Sequence, residues 1–400
     1  MKKRITSLAF IFVLCVLSVY ATDNQFTIKG TIKGKKSGVV ELSYLTLKNN
    51  KFDRIKLSAV IHQGIFFFQG YLEEPASAYF KVDEIEGELY IEPSAMKLDI
   101  AGNDNVKFKL SGSITQRESE QLAQRSQHLL NSYDQLYTQY RKICSKLDSL
   151  PESSADRKEL LEKKNETYQR RDSINKLITR NEIEFIKSNP NSYYPVISNS
   201  IDALISQKQL EIDSARILFN HLSERVRASV MGKFTNTYIE KNENLAIGKI
   251  APDFNTPDMN GQLVKLSDYR GVNYVLLDFW AGWCGPCVQG LPHMRELYKK
   301  YHDKGLQIIG ISCDRSKDDW LAAIDKHNVS MWPQVSEVQN FEKHAQGYVN
   351  KEDINNIYST DGIPRYILID KAGVIIKEWE GYSEENEKDQ DKLFEEIFMN

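Results

Sequence analysis

Between Phe26 and Gly112 apolar and polar residues alternate in eight short runs: FTIKGTI, GVVELSYL, RIKLSAVI, IFFFQGYL, AYFKVD, GELYIE, MKLDIA and VKFKLSG. A period of two places the apolar side chains of a strand on one face. Gly, Asn, Asp and Pro separate the runs, and His62-Gln63-Gly64 reads as a hairpin turn. The pattern predicts an all-β sandwich or barrel over residues 24–112. No cluster of His, Cys or carboxylates in it would carry chemistry, so it reads as a docking or spacing module.

The period changes after Ser113. Leu129, Tyr133, Leu136, Tyr140, Ile143 and Leu147 recur at intervals of four and three, a seam along one side of a helix that stops near Pro151. A second helix is predicted from Ser154 to Lys187, ending before Asn189-Pro190, and the pair reads as an antiparallel hairpin. Its polar stretch EKKNETYQRRDS reads first as a solvated face and second as a homodimer contact. Cys144, beside the seam, reads as a small core residue. Shorter helical segments complete a helical region over 113–244.

From Leu245 the apolar runs become continuous: NYVLLDFW, LQIIGIS, RYILID and GVIIKEW, with helical stretches between them. Runs of this kind suit strands buried on both faces. The expectation is an α/β layer over 245–400 with parallel strands at its centre, so the chain is multidomain: all-β, then α-helical, then α/β.

Composition narrows the function classes. A length of 400 residues suggests two or three domains. A net charge of -3 with both signs well mixed offers no field for nucleic acid. Lys2, Lys3 and Arg4, the apolar run Leu8 to Tyr20 and the small Ala21 form the pattern of a cleaved signal peptide over 1–21. That run is shorter than the roughly 20 residues of a bilayer span, so export to the periplasm or cell envelope without a permanent membrane span is expected. Bulky Leu14 before Cys15 argues against a lipid anchor. Loss of the signal leaves Cys144, Cys284, Cys287 and Cys313, too few in so long a chain for a disulfide framework.

Two of the four stand in DFWAGWCGPC, Asp278 to Cys287, where a buried strand is expected to end and a helix to begin. Unpaired N–H groups and the macrodipole at a helix start favour thiolate over thiol. Cys284 is the expected nucleophile on a substrate disulfide, and Cys287, one helical turn on, resolves the mixed disulfide. Cys287 needs a base. Asp278, between Leu277 and Phe279, is the candidate, because desolvation would raise its pKa toward a useful value; the plainer reading is a strand-end residue facing solvent. Trp280 and Trp283 are expected to pack around the sulfurs.

DFWA-x-WCGPC, Pro292 five residues after Cys287 and the later GIPRYILID resemble the thioredoxin superfamily. APDF, NGQLVKLSDYRG and the long insertion before GIP resemble its envelope branch, the TlpA-like thiol:disulfide oxidoreductases with an AhpC/TSA-like C-terminal domain. The resemblance covers Leu245 to Asn400 and implies a thioredoxin-like fold and dithiol–disulfide exchange without cofactor or metal. It implies a cis Pro364, which has no N–H to offer the sulfurs, and an Ile363 backbone left free to pair with an extended substrate segment. Trp283, Gly285, Pro286, Ile363 and Arg365 are the implied substrate contacts. The implied partners are disulfide-bonded envelope proteins as substrates and an upstream dithiol reductant.

Two positions depart from the family. Gly290 stands where relatives acting on cytochrome c precursors often carry Glu, and Arg365 stands where Thr is frequent. Arg365 is expected either to favour acidic partners or to turn to solvent. Gly285-Pro286 carries no histidine to over-stabilise a thiolate, which tilts the expectation to a reductase over an oxidase or isomerase. A thiol peroxidase is disfavoured by Leu277 and Ala281 where Pro and Thr are needed. Zinc is disfavoured because only His293 and Cys313 could join the CxxC pair. A redox-inert binding or scaffold protein would not need Cys284, Cys287 and Pro364 together. Cys313 reads as a half-buried bystander or as a third thiol of the site.

Overall fold

The computed structural model describes residues 24–48, 51–101, 107–151, 154–342, 350, 352–358, 360 and 362–399. The expected signal segment, with Cys15, lies outside the described residues. Two compact units interleave along the chain: Met1–Ser200 with His221–Gly232, and Ile201–Asn220 with Lys233–Asn400.

In the first unit each alternating run is a strand: β1 (Gln25–Ile32), β2 (Ser37–Lys48), β3 (Lys51–His62), β4 (Ile65–Tyr71), β5 (Ala76–Val82), β6 (Ile85–Ile91), β7 (Ala95–Ala101) and β8 (Lys107–Ser111). They form one barrel-like sheet in the order β6-β5-β2-β3-β4-β1-β7-β8. Its pairs are antiparallel except β1 with β7. The β3–β4 turn is closed by Gln63 and Gly64, both at positive φ (55° and 80°), as a two-residue hairpin requires. Phe26, Ile28, Leu42, Phe66, Phe80 and Leu98 form the buried face. Gly30 admits the Phe66 ring against the β1 backbone, since a Cβ there would lie 2.0 Å from that ring.

Helices α1 (Ile114–Ser149) and α2 (Asp156–Ser188) follow. Ser113 caps α1, its hydroxyl accepting from the Gln116 N–H at 3.0 Å. Of the predicted seam, Leu136, Ile143 and Leu147 are buried. The tyrosines take a different partner: the Arg171 guanidinium stands 5.8, 5.7, 4.9 and 5.4 Å from the ring centres of Tyr133, Tyr137, Tyr140 and Tyr168. Two helices alone cannot cover both flanks of the seam, and a cation over the aromatic faces covers what apolar contact leaves open. Five short helices come next: α3 (Tyr194–Ile197), α4 (Ser200–Ser206), α5 (Ile212–His221), α6 (Glu224–Arg227) and α7 (Val230–Asn244), of which α3 and α6 belong to the first unit and α4, α5 and α7 almost wholly to the second.

The second unit carries a small hairpin, β9 (Asn255–Pro257) with β10 (Leu263–Lys265), and a five-stranded sheet. The strands are β11 (Tyr274–Trp280), β12 (Leu306–Ser312), β13 (Gln334–Ser336), β14 (Arg365–Ile369) and β15 (Ile375–Glu380), in the order β13-β12-β11-β14-β15. β11, β12 and β13 run parallel; β14 and β15 are antiparallel to their neighbours. Helix α8 (Gly285–Tyr301) leaves β11, and α9 (Lys317–His327) follows β12. This is a thioredoxin-like α/β layer. Strand alternation divides its core in two. Leu276 and Trp280 pack with α8, Tyr366 and the C-terminal helix Glu384–Phe398, whereas Val275, Leu277 and Phe279 pack on the other face with Ile367 and Tyr358.

Candidate active site

Cys284 is the N-cap of α8, and its sulfur accepts the Cys287 N–H at 3.2 Å. Pro286, in the first turn, needs no N–H partner there. The loop ahead of the helix is held from below. The Gly282 N–H donates to the Asp314 carboxylate at 3.1 and 3.3 Å, and the Ser312 hydroxyl donates to the same group at 2.8 Å. Gly282 is pressed against α9, where a Cβ would lie 2.5 Å from that of Ala323. Cys284 and Cys287 are joined as a disulfide with a Cα–Cα distance of 5.2 Å, and both are buried. The Cys284 sulfur lies 3.8 Å from the Ile363 carbonyl oxygen. The Ile363–Pro364 peptide bond is cis.

Around this buried pair Trp283, Gly285 and Pro286 are exposed. Trp283 is 60% exposed beside the buried pair. Trp280 does pack in the cluster that holds both cysteines, and its indole N–H donates to Gln334 Oε1 at 3.1 Å.

Asp278 shares the strand parity of Leu276 and Trp280, which aims its side chain at the α8 face. It is 1% exposed, and its Oδ2 has no hydrogen-bond partner among the described residues. Burial alone pushes the carboxyl up to about 7. Tyr366 stands opposite Asp278 across the β11–β14 pairing. Its phenol is held protonated by burial and then by the Asp278 charge. A Cβ on Gly290 would come within 2.8 Å of the Tyr366 hydroxyl, so this helix position is small because the phenol lies against it.

Arg365, one residue away, has the opposite parity. It is neither turned to solvent nor offered as a free positive charge. Its Nε donates to Glu378 at 2.9 Å and its Nη1 to the Tyr358 carbonyl at 2.6 Å, and the guanidinium lies 5.9 Å from the centre of the Phe279 ring. Cys313 is half-buried and free; burial and the adjacent Glu337 push its thiol well above the ordinary range. Among the described residues no group of three or more His, Cys, Asp or Glu could hold a metal ion.

Asp314, Gln334 and Tyr366 were not singled out from the sequence. The signal for Tyr366 was its alternation in RYILID, which sets it on the same face as Asp278 once the β11–β14 register is known. Asp314 and Gln334 meet the site only through chain crossings that no local pattern encodes.

The AhpC/TSA family profile matches residues 247–378, and a domain of unknown function, DUF4369, matches residues 26–119. The crystal structure of the thioredoxin domain of a thiol-disulfide oxidoreductase from Bacteroides vulgatus is 31% identical over 37% of this chain and 98% of that one, with a TM-score of 0.32. Thiol-disulfide oxidoreductase ResA of Bacillus cereus is 33% identical over 168 residues, 42% of this chain and 88% of that protein. ResA of Geobacillus kaustophilus is 32% identical over 143 residues, 36% and 73% of the two. With 88% of a relative covered at 33% identity, the chain belongs to the ResA-like thiol-disulfide oxidoreductases, and it carries an AhpC/TSA-type thioredoxin-like domain behind a DUF4369 β domain.

Proposed function

We propose that the protein is an exported reductase of protein disulfides that works by dithiol–disulfide exchange at Cys284 and Cys287. The observation that carries the reading is the Cys287 N–H aimed at the Cys284 sulfur at the start of α8. In the reduced protein that donor and the macrodipole favour a Cys284 thiolate. The thiolate attacks one sulfur of the substrate disulfide, and the other leaves as a thiolate. Asp278, ionised, takes the proton of Cys287; the Cys287 thiolate then attacks the Cys284 sulfur and expels the second substrate thiolate. The substrate gains two electrons and the protein ends as its Cys284–Cys287 disulfide, which a separate dithiol reductant must reduce. Pro364, without an N–H, leaves the sulfurs unperturbed; Ile363 offers its backbone to the substrate; Trp283, Gly285 and Pro286 form the exposed contact surface.

Insulin reduction tests the reading, with Cys284→Ser expected to abolish turnover; activity that survives the substitution overturns it. Expression of the full chain in a bacterium with an envelope is expected to deliver protein lacking residues 1–21 to that fraction. Cytosolic retention of the uncut chain would remove the export half of the proposal. Among the described residues no helix is long and apolar enough to cross a membrane.

A further inference from the structure

Beside the cis-proline loop the second compact unit holds an open cavity of about 560 Å³, within the size range of ligand sites. Gly362, Ile363 and Pro364 form one wall. The turn from α4 to α5 also lines it, through Ile205, Ser206, Lys208, Leu210, Glu211 and Ile212, and lies outside the matched AhpC/TSA segment 247–378. Ile363 joins this cavity to the redox pair. Its carbonyl oxygen is 3.8 Å from the Cys284 sulfur, and its side chain packs against both core clusters of the unit.

The turn is built with a residue that costs it stability. Lys208 sits at φ 53°, its N–H donating to the Ile205 carbonyl and the Gln209 N–H to the Leu204 carbonyl, both at 2.9 Å. This is the paired closure of a helix end at which glycine is usual. A lysine in left-handed backbone, where glycine would be unstrained, points to a use for its side chain. Its Nζ reaches Glu380 at 3.0 Å and Glu378 at 4.0 Å, and Glu378 in turn holds Arg365. Those charges pair across the cavity, whereas Glu211 on its lining has no ion-pair partner among the described residues. Leu210 and Ile212 add half-buried apolar surface.

We infer that the cavity seats the polypeptide that flanks the disulfide being reduced. An extended segment beside the substrate cysteine runs past Ile363, an apolar side chain enters against Leu210, and a basic residue meets Glu211. The turn thus acts as a specificity wall supplied from outside the family domain. The inference rests on the reductase reading. A small disulfide needs only the exposed surface around Cys284 and is blind to the cavity.

The test uses pre-reduced, full-length protein in single-turnover reactions with hydroxyethyl disulfide and with two disulfide-linked peptides carrying Lys or Glu two residues from the cysteine. The wild type is expected to prefer the Lys peptide about three- to fivefold, the scale of an exposed charge pair. Glu211→Lys should invert that preference. Ser206→Trp, at an exposed lining position, should slow both peptides about tenfold by filling the cavity. Hydroxyethyl disulfide should react within about twofold in all three proteins, because no buried binding contact changes for it. A ratio of peptide to small-disulfide rates that is the same in all three overturns the inference, and because it is a ratio it is insensitive to general loss of active protein. Failure of the wild type to reduce any of the substrates would instead sink the reductase reading, and the inference with it.

Discussion

A carboxyl that ionises at 3.8 in the open is held neutral to about 7 at Asp278 by burial. The folded protein binds this proton more tightly than the unfolded chain does, so stability falls as pH rises from about 4 to about 7 and is level above that. Linkage sets an upper bound of about 4 kcal/mol on the loss. Asp278→Asn should therefore leave stability at pH 4 almost unchanged and raise the urea midpoint at pH 8. The same change should slow resolution of the mixed disulfide about 100-fold, the usual scale for losing a general base, and erase its inflection near pH 7. Stopped-flow kinetics with a peptide substrate reads both; an unchanged inflection would assign the proton to another group. At Cys284, iodoacetamide rates in Cys287→Ser should titrate below the range of a free thiol, because the helix start favours the thiolate. An inflection at the ordinary thiol value would remove the helix-start argument.

Between elements, the contact of α8 with β14 is set by the fit of Gly290 against Tyr366. Gly290→Ala should destabilise the fold by about 1–3 kcal/mol through overpacking. Tyr366→Phe in that background removes the atom in the way and should recover most of the loss, which a double-mutant cycle measures as coupling; strictly additive effects would show that the phenol does not set the helix position. In the α1–α2 hairpin, Arg171→Ala removes a cation shared by four partly solvated tyrosine rings. A loss of about 1 kcal/mol is expected, with faster amide exchange confined to the two helices. The seam of α1 was legible because a spacing of four and three is written in the chain. Arg171 was not, because only the pairing of α1 with α2 decides which polar residue lies over which ring.

For the molecule as a whole, the measurable summary of the site is its reduction potential. Gly285-Pro286 supplies no extra charge to the thiolate, so the Cys284–Cys287 couple should lie nearer the value of about -270 mV of thioredoxin than the -120 mV or so of a strong oxidant such as DsbA. Equilibration against glutathione buffers checks this, and a value close to the latter would turn the reading from reductase to oxidase.

The eight strands of the β domain, the helical hairpin and the strand-to-helix position of the cysteine motif were all readable along the chain. Each depends on a period of two, on a period near 3.6 or on a local cap, and such signals are complete within a few residues of sequence. Even the burial of Asp278 was written locally, in an apolar run with no polar neighbour to solvate it. The tertiary structure alone decided what crosses between segments. It turned Arg365 away from the redox pair and into Glu378, left Trp283 in solvent, laid Tyr366 against Gly290, and brought Lys208 and Glu211 beside Pro364. Register, strand parity and the packing of distant segments place these side chains, and those are set by a global minimum of buried surface that no single stretch of sequence contains.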